Sequence, residues 1–265
     1  MSVLLQISDP HFGTERAAVV DALATLARQQ RPDLIVLSGD ITQRARPAQF
    51  RVARAFTDRL GAPVLAVPGN HDLPLFDPWA RLCRPYARYV AAFGGDLEPV
   101  HRSPELLVVG VNTTRAWRHK HGEVSGPQVE RVARLLEQAA PAQLRVVVVH
   151  QPVAVTVAQD LPNLLRGRAP ALQRWAAAGA DLVMGGHIHL PDVLALPGLE
   201  RPMWAVQAGT AVSSRVRRGA PNSVNLLRWR VGEGSDHCRI EQWDFAADAQ
   251  AFVLARLRQV RPARA

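Results

Sequence analysis

The sequence has few cysteines and no long apolar run. Cys83 and Cys238 are the two cysteines among 265 residues. They lack the close spacing of a redox or zinc pair, so a disulfide framework is excluded. No apolar stretch approaches the roughly 20 residues that cross a bilayer, and no basic segment with an apolar core begins the chain. A cytoplasmic location is the expectation from the sequence, and peripheral contact with an anionic membrane surface stays open.

Lysine is almost absent, although the chain is basic. Lys120 is the one lysine among 32 basic residues, which outnumber 23 acidic residues and give a formal net charge of +9. Arginine forms bidentate contacts with phosphate, so this charge favours an anionic partner such as a phosphate ester, a nucleic acid or a membrane. A GC-rich genome produces the same excess of arginine, so composition alone leaves both explanations open.

Short apolar runs alternate with longer amphipathic segments along the first 190 residues. The apolar runs predict strands at 3–8, 34–38, 64–67, 106–111, 145–149 and 182–184. The amphipathic segments predict helices at 15–30, 47–60, 79–93, 128–139 and 169–178. This alternation is typical of an α/β domain.

The end of the chain has a different pattern. Runs joined by glycine, serine and asparagine turns predict an antiparallel-rich part at about 203–245. Residues 246–258 predict a terminal helix that is short, amphipathic and basic. Such a helix either contacts an anionic bilayer or packs on the domain with a solvated face. No linker or repeat divides the chain, so residues 1–265 are expected to form a single domain.

Acidic, histidine and asparagine residues follow five of the predicted strands. They are Asp9 and His11, then Asp40, then Asn70, His71 and Asp72, then His150, and finally His187 and His189. The carboxyl ends of strands in an open α/β sheet meet at one crevice, so these side chains are expected to converge. Mixed imidazole and carboxylate donors suit Mn, Fe, Co, Ni or Zn rather than Ca or Mg. A catalytic ion needs an open position, so seven ligands from this set would be too many for one ion and would suit two ions.

These motifs, in this order, resemble the calcineurin-like metallophosphoesterase superfamily, whose pattern is D-x-H, G-D, G-N-H-[DE], H and G-H-x-H. Within it, Ser8-Asp9-Pro10-His11 and the chain length look most like the bacterial class III cyclic-nucleotide phosphodiesterases. The resemblance implies a four-layer α/β/β/α sandwich of two mixed sheets flanked by helices. Gln43 is a departure, because many members carry aspartate there; it is not a ligand position, so metal binding is expected to survive.

The resemblance also implies the cofactors and their ligands. Two divalent or trivalent transition-metal ions are expected, with Mn and Fe ahead of Zn and Co. One ion is assigned to Asp9, His11, Asp40 and His189, and the other to Asp40, Asn70, His150 and His187, so that Asp40 bridges. A hydroxide between the ions would attack phosphorus in line, without a covalent enzyme intermediate. His71 is the expected general acid or transition-state donor, and Asp72 would orient it.

Four residues are candidate substrate contacts: Arg44, Asn112, Arg115 and Arg215. All follow predicted strands or the Asp40 motif on the same expected edge, where they could clamp a phosphate. The alternative is that each is an ordinary solvated residue. His119 and His121 flank Lys120 in a polar loop, which we interpret as surface rather than as a third metal site.

The predicted function is therefore hydrolysis of a small phosphodiester such as 3′,5′-cAMP. An alternative is a hydrolase of a lipid-linked phosphate or pyrophosphate, similar to UDP-diacylglucosamine pyrophosphatases, which the basic loop and terminal segment favour. A nuclease ranks lower because no DNA-binding module is recognisable, and specific nucleic-acid binding is not expected. A non-catalytic scaffold ranks lower because every ligand position is filled. A homodimer is compatible with the resemblance.

Overall fold

The computed structural model describes residues 1–232 and 236–263. Its strands are β1 (Ser2–Ile7), β2 (Leu34–Ser38), β3 (Val64–Val67), β4 (Val100–Arg102), β5 (Leu106–Gly110), β6 (Leu144–Val148), β7 (Leu182–Gly185), β8 (Asp192–Ala195), β9 (Trp204–Gln207), β10 (Ser223–Arg230), β11 (His237–Ala246) and β12 (Ala251–Val260). Its α-helices are α1 (Ala17–Gln30), α2 (Pro47–Asp58), α3 (Pro78–Cys83), α4 (Ala87–Phe93), α5 (Gly126–Glu137) and α6 (Arg168–Ala177). Two 3-10 turns, Asn70–Asp72 and Ala158–Asn163, complete the elements.

The strands form two mixed sheets of six strands each. The first sheet has the order β12-β11-β10-β1-β2-β3, in which β1, β2 and β3 are parallel and β10 to β12 are antiparallel. The second has the order β4-β5-β6-β7-β9-β8, with parallel strands from β5 to β9 and antiparallel edges. The parallel strands are therefore β1 to β3 in the first sheet and β5, β6, β7 and β9 in the second. Within each sheet, the carboxyl ends of these strands lie at one edge.

Three apolar layers hold the sheets and helices together. The middle layer lies between the sheets and contains Leu4, Val36, Val148 and Met184. The outer layers join each sheet to its helices, through Leu5, Leu23 and Phe50 on one side and Val147, Val132 and Trp175 on the other. The central strands bury both faces, which explains why they are continuous apolar runs in the sequence. The predicted four-layer α/β/β/α sandwich is confirmed.

The predicted terminal helix at about 246–258 is wrong, because this segment contains strand β12. The strand pairs antiparallel with β11, from Ala246 opposite Ala251 to Cys238 opposite Val260. A register shift between Gln242 and Trp243 interrupts the pairing. Pairing with β11 satisfies the backbone of β12 and completes the first sheet, and this tertiary contact outweighs the helical spacing of its apolar residues.

The predicted helix at 79–93 is divided in two. Helix α3 ends at Cys83 and α4 begins at Ala87, with Pro85 between them. Proline lacks a backbone N–H and interrupts helical hydrogen bonding, so Pro85 explains the break between the two helices. Within the described ranges, no helix has the length and apolar character needed to span a bilayer.

Candidate metal centre and active site

The loops after β1, β2, β3, β6 and β7 bring the predicted ligands together. Donor atoms form three groups, within each of which they lie no more than 4.8 Å apart: Asp9, His11 and His189; His11, Asp40 and His71; and Asp40, His150 and His187. His189 Nε2 is 3.3 Å from Asp9 Oδ1, and His150 Nε2 is 3.3 Å from Asp40 Oδ1. His11 Nε2 is 3.8 Å from Asp40 Oδ2. The Asp40 carboxylate therefore lies between two sets of donors.

The backbone at this site is strained. Five of the predicted ligands have left-handed backbone: Asp9 (φ 49°), His11 (φ 44°), Asp40 (φ 49°), His187 (φ 74°) and His189 (φ 54°). Three other non-glycine residues in the described ranges share this property. Residues with side chains rarely adopt this conformation, and it persists where the surrounding structure enforces it, often at functional sites.

Two glycines allow the loops to approach one another. A Cβ atom at Gly69 would overlap the backbone nitrogen and the carboxylate of Asp40. A Cβ atom at Gly186 would overlap the Ser8 hydroxyl and the carboxylate of Asp9. The glycines that precede Asn70 and His187 are therefore required by the spacing between loops.

Backbone carbonyl groups orient three of the imidazole rings. His150 Nδ1 is 2.9 Å from Ser38 O, His189 Nδ1 is 2.7 Å from Arg215 O, and His71 Nδ1 is 2.9 Å from Gln43 O. In each case an Nδ1–H can donate to the carbonyl oxygen. This arrangement leaves Nε2 as the free position, as is common for metal-binding histidines.

The buried site shifts the pKa values of its imidazoles in opposite directions and keeps the Asp40 carboxylate ionised. Burial lowers the pKa of His11 to about 3 and that of His187 to about 3. Burial acts to raise the pKa of Asp40, but the neighbouring His150 and His71 hold it well below its ordinary value. Burial acts to lower the pKa of His150, but the Asp40 carboxylate raises it to about 9. A bound cation would take the place of this proton.

Several buried donor atoms lack a protein partner. Asn70 Oδ1 and both ring nitrogens of His187 are buried without a hydrogen bond among the described residues. Such atoms are costly to bury unless a ligand satisfies them. Their mixture of nitrogen and oxygen donors fits borderline transition metals. Donors of this kind are offered here by Asp9, His11, Asp40, Asn70, His150, His187 and His189.

The metal-ligand cluster lies at a cavity of about 610 Å³. Two predicted substrate contacts, Arg44 and Arg215, line it together with His71. Arg215 Nη1 donates to Gln43 Oε1 at 3.0 Å and lies 3.4 Å from His71 Nε2. The structure therefore places one guanidinium group in the cavity wall, beside the ligand cluster.

The other two predicted substrate contacts, Asn112 and Arg115, do not line this cavity. Asn112 Oδ1 accepts a hydrogen bond from Thr114 Oγ1 at 2.6 Å, and Arg115 Nη2 donates to Gln128 Oε1 at 2.7 Å. The Arg115 side chain thus joins the loop after β5 to α5, and the Asn112 side chain bonds within that loop. The order of strands predicted the correct edge of the sheet but could not show which way this loop turns.

Asp72 does not orient His71, contrary to the prediction. Its buried carboxylate accepts hydrogen bonds from the backbone nitrogens of Ile41, Thr42 and Gly69 at 2.8 to 3.0 Å. Burial raises the pKa of Asp72 to about 7. Successive residues of a 3-10 turn point about 120° apart, so the side chains of His71 and Asp72 leave the turn in different directions. Asp72 instead joins the Asp40 loop to the Asn70 turn.

Sequence reasoning missed part of the cavity wall. His119 and Lys120, interpreted above as surface residues, line the cavity together with Asp160 and Asn163. Arg217 Nη1 is 2.6 Å from Asp160 Oδ2. The 3-10 turn that carries Asp160 has no motif in the sequence. The one available signal was Lys120, a single lysine in a chain that otherwise uses arginine.

A family comparison agrees with the geometry of this site. The family model described as calcineurin-like phosphoesterase matches residues 2–191. The chain belongs to this family. The resemblance seen in the motifs is confirmed, and the protein is a metal-binding phosphoric ester hydrolase. The prediction that it is an enzyme is confirmed with it.

Curated relatives and a solved structure extend the comparison. The chain is 29% identical over 203 residues to a probable cyclic nucleotide phosphodiesterase from Synechococcus sp., covering 70% of this chain and 72% of that protein. It is 32% identical over 204 residues to a cAMP/cGMP dual specificity phosphodiesterase from Mycobacterium tuberculosis, covering 71% of this chain but 61% of that protein. A dimetal phosphatase from Danio rerio shares the fold, with a TM-score of 0.68 and 15% identity over 99% of both chains.

Proposed function

We propose that this phosphoesterase hydrolyses a cyclic nucleotide such as 3′,5′-cAMP with the help of two transition-metal ions. The observation that carries the proposal is the position of Asp40 at the cavity. Its carboxylate belongs both to the donor group that contains His11 and to the donor group that contains His150. A cavity of about 610 Å³ has the size of a small-molecule site. The cyclic-nucleotide phosphodiesterases among the relatives support this substrate class.

The proposed ligand sets follow the observed groups. Asp9, His11, Asp40 and His189 would hold one ion, and Asp40, Asn70, His150 and His187 would hold the other. Manganese and iron are the proposed ions, and zinc or cobalt are alternatives, because this donor set accepts all four. When bound, the ions supply positive charge that activates a water molecule and stabilises the phosphoryl oxygens.

His71 is the proposed proton donor to the leaving oxygen. Its Nδ1–H donates to the Gln43 carbonyl, which fixes the ring, and its Nε2 lies beside Arg215 in the cavity. Protonated at Nε2, His71 would give that proton to the oxygen that leaves phosphorus. Asp72 would act on this step indirectly, by holding the turn that carries His71.

Arg215 is the proposed clamp for a phosphoryl oxygen. Its guanidinium group is directed by Gln43, whose amide oxygen accepts a hydrogen bond without cancelling the positive charge. Many members of the superfamily carry aspartate at this position, and an aspartate would neutralise that charge. The departure at Gln43 therefore preserves a cation beside the metal cluster.

Replacing Arg215 with glutamine should weaken substrate binding. We expect KM for bis(4-nitrophenyl) phosphate to rise about tenfold, because a charge-assisted hydrogen bond contributes about 1.5–3 kcal/mol. Steady-state kinetics with Mn²⁺ would measure this change. Arg218→Gln is the matched control, since Arg218 follows on the same segment but does not line the cavity. An unchanged KM in Arg215→Gln would contradict the clamp.

The substrate class can be tested with a panel of phosphate esters. Purified protein with Mn²⁺ would be assayed with 3′,5′-cAMP, with bis(4-nitrophenyl) phosphate and with a UDP-linked lipid pyrophosphate. We expect the highest kcat/KM for the cyclic nucleotide. Preferred hydrolysis of the lipid pyrophosphate would overturn the proposed substrate while leaving the metal chemistry intact.

A further inference from the structure

Four large apolar side chains are unusually exposed on one part of the molecule. Trp79 is 78% exposed, Phe76 75%, and Leu82 and Trp117 73% each, and we call these four residues the rim patch. Single exposed apolar residues are common on proteins, but several large ones together usually mark an interaction site. None of them has a role in the proposed reaction.

The rim patch is one connected surface. Trp79 and Leu82 are three residues apart on α3, so they share a helix face. The side chain of Arg81, on the same helix, donates to Ala116 O and Arg118 O, each at 2.7 Å. These carbonyl groups are on either side of Trp117. Arg81 therefore fastens the Trp117 loop to α3.

The rim patch borders the mouth of the cavity. The guanidinium group of Arg44 lies 5.0 Å from the centre of the Phe76 ring, and Arg44 lines the cavity. Lys120 also lines the cavity and follows Trp117 closely in the chain. Phe76 and Trp117 thus lie next to residues that line the cavity in which the candidate metal ligands lie.

The surroundings of the rim patch carry free positive charge. Arg44, Arg84 and Lys120 form no ion pair with a carboxylate among the described residues. The nearby carboxylates are already engaged, Asp77 with Arg88 at 2.6 Å and Glu123 with Arg118 at 2.9 Å. The surface therefore combines exposed aromatic side chains with uncompensated cations.

We propose that the rim patch binds an anionic lipid surface. Tryptophan side chains favour the boundary between lipid head groups and acyl chains, and basic residues beside them attract anionic lipids. A second copy of this chain fits less well. A twofold contact would place the patch against itself and bring the unpaired cations of both copies together. Bound in this way, the protein would open its cavity beside the membrane.

This surface differs from the membrane contact that the sequence suggested. That contact relied on a basic amphipathic helix near the C-terminus, where the structure has strand β12. Strand β12 does expose Leu254 and Leu257, each at 48%, beside Arg256. It therefore offers a control surface with similar composition and no connection to the cavity.

Vesicle binding tests the proposal. The probes are phosphatidylcholine vesicles with and without phosphatidylglycerol, and the readouts are co-sedimentation and tryptophan emission. We expect the wild type to bind the anionic vesicles, more weakly as salt is raised, with a blue shift in emission. The double variant Trp79→Ser/Trp117→Ser should bind at least about tenfold more weakly, since it loses both aromatic anchors. Leu254→Ser/Leu257→Ser should bind as the wild type does.

Each other result would overturn the proposal. It fails if the wild type does not bind anionic vesicles, if the tryptophan variant binds equally well, or if the β12 variant loses binding instead. Sedimentation velocity tests for self-association. A dimer that the tryptophan substitutions dissociate, together with absent vesicle binding, would assign the rim patch to self-association. Circular dichroism and thermal unfolding verify that both double variants fold.

Discussion

Asp40→Ala should lower the turnover of bis(4-nitrophenyl) phosphate by at least about 10³-fold, because bound ions contribute several kcal/mol to transition-state stabilisation and this carboxylate belongs to both proposed sets of ligands. Its oxygens lie 3.3 Å from His150 Nε2 and 3.8 Å from His11 Nε2. Metal analysis of the purified variant should show fewer than two ions per chain. Assays with added Mn²⁺ would establish whether excess metal restores activity.

Asp58→Ala is the matched control for this experiment. Asp58 is 57% exposed on α2 and pairs with Arg54, a surface contact that contributes little to stability. The control should retain both ions and full turnover. An Asp40→Ala enzyme with two ions and wild-type activity would refute the shared-carboxylate mechanism.

His71→Ala should separate metal binding from catalysis. Its ring is held by the Gln43 carbonyl, and its Nε2 faces Arg215 rather than completing either proposed ligand set. We expect both ions to remain bound while kcat falls about 10²- to 10⁴-fold, the range typical of general acid–base catalysis. The loss should be larger for 3′,5′-cAMP than for bis(4-nitrophenyl) phosphate, because nitrophenolate leaves without needing a proton.

The control for this variant is His101→Ala, on the edge strand β4 and outside the cavity lining. Metal analysis is the decisive second measurement. Loss of an ion from His71→Ala would show that His71 is a ligand. Its position in one donor group with His11 and Asp40 allows this role. Equal losses of kcat with both substrates would indicate that His71 stabilises charge and does not donate a proton.

The convergence of the candidate ligand residues was predictable because their signals are local. Each follows a buried apolar strand and adjoins a turn, and parallel strands necessarily deliver such residues to one edge. The glycines before Asn70 and His187 belong to the same signal, because the loops could not otherwise approach Asp40 and Asp9. The central strands were predictable for a related reason, since continuous apolar runs indicate strands buried on both faces. The four-layer sandwich itself was inferred from the family resemblance.

The errors concern contacts between segments that are distant in sequence. Whether Arg115 reaches the cavity depends on Gln128 of α5, and the direction of the Asp72 carboxylate depends on backbone nitrogens of the Asp40 loop. Residues 251–260 have apolar spacing compatible with a helix, but pairing with β11 makes them a strand. None of these partners can be inferred from the local sequence of the residue itself.

The site also joins the two sheets of the sandwich. His11 Nε2 and His189 Nε2 lie 3.1 Å apart although 178 positions separate them in the chain. The ligands up to Asn70 follow strands of the first sheet, and the three later histidines follow strands of the second. Ions held between them would act as a removable cross-link that closes a long loop, binding the native state and stabilising it by mass action. The melting temperature of this protein should therefore titrate with free metal, and would report occupancy without any substrate.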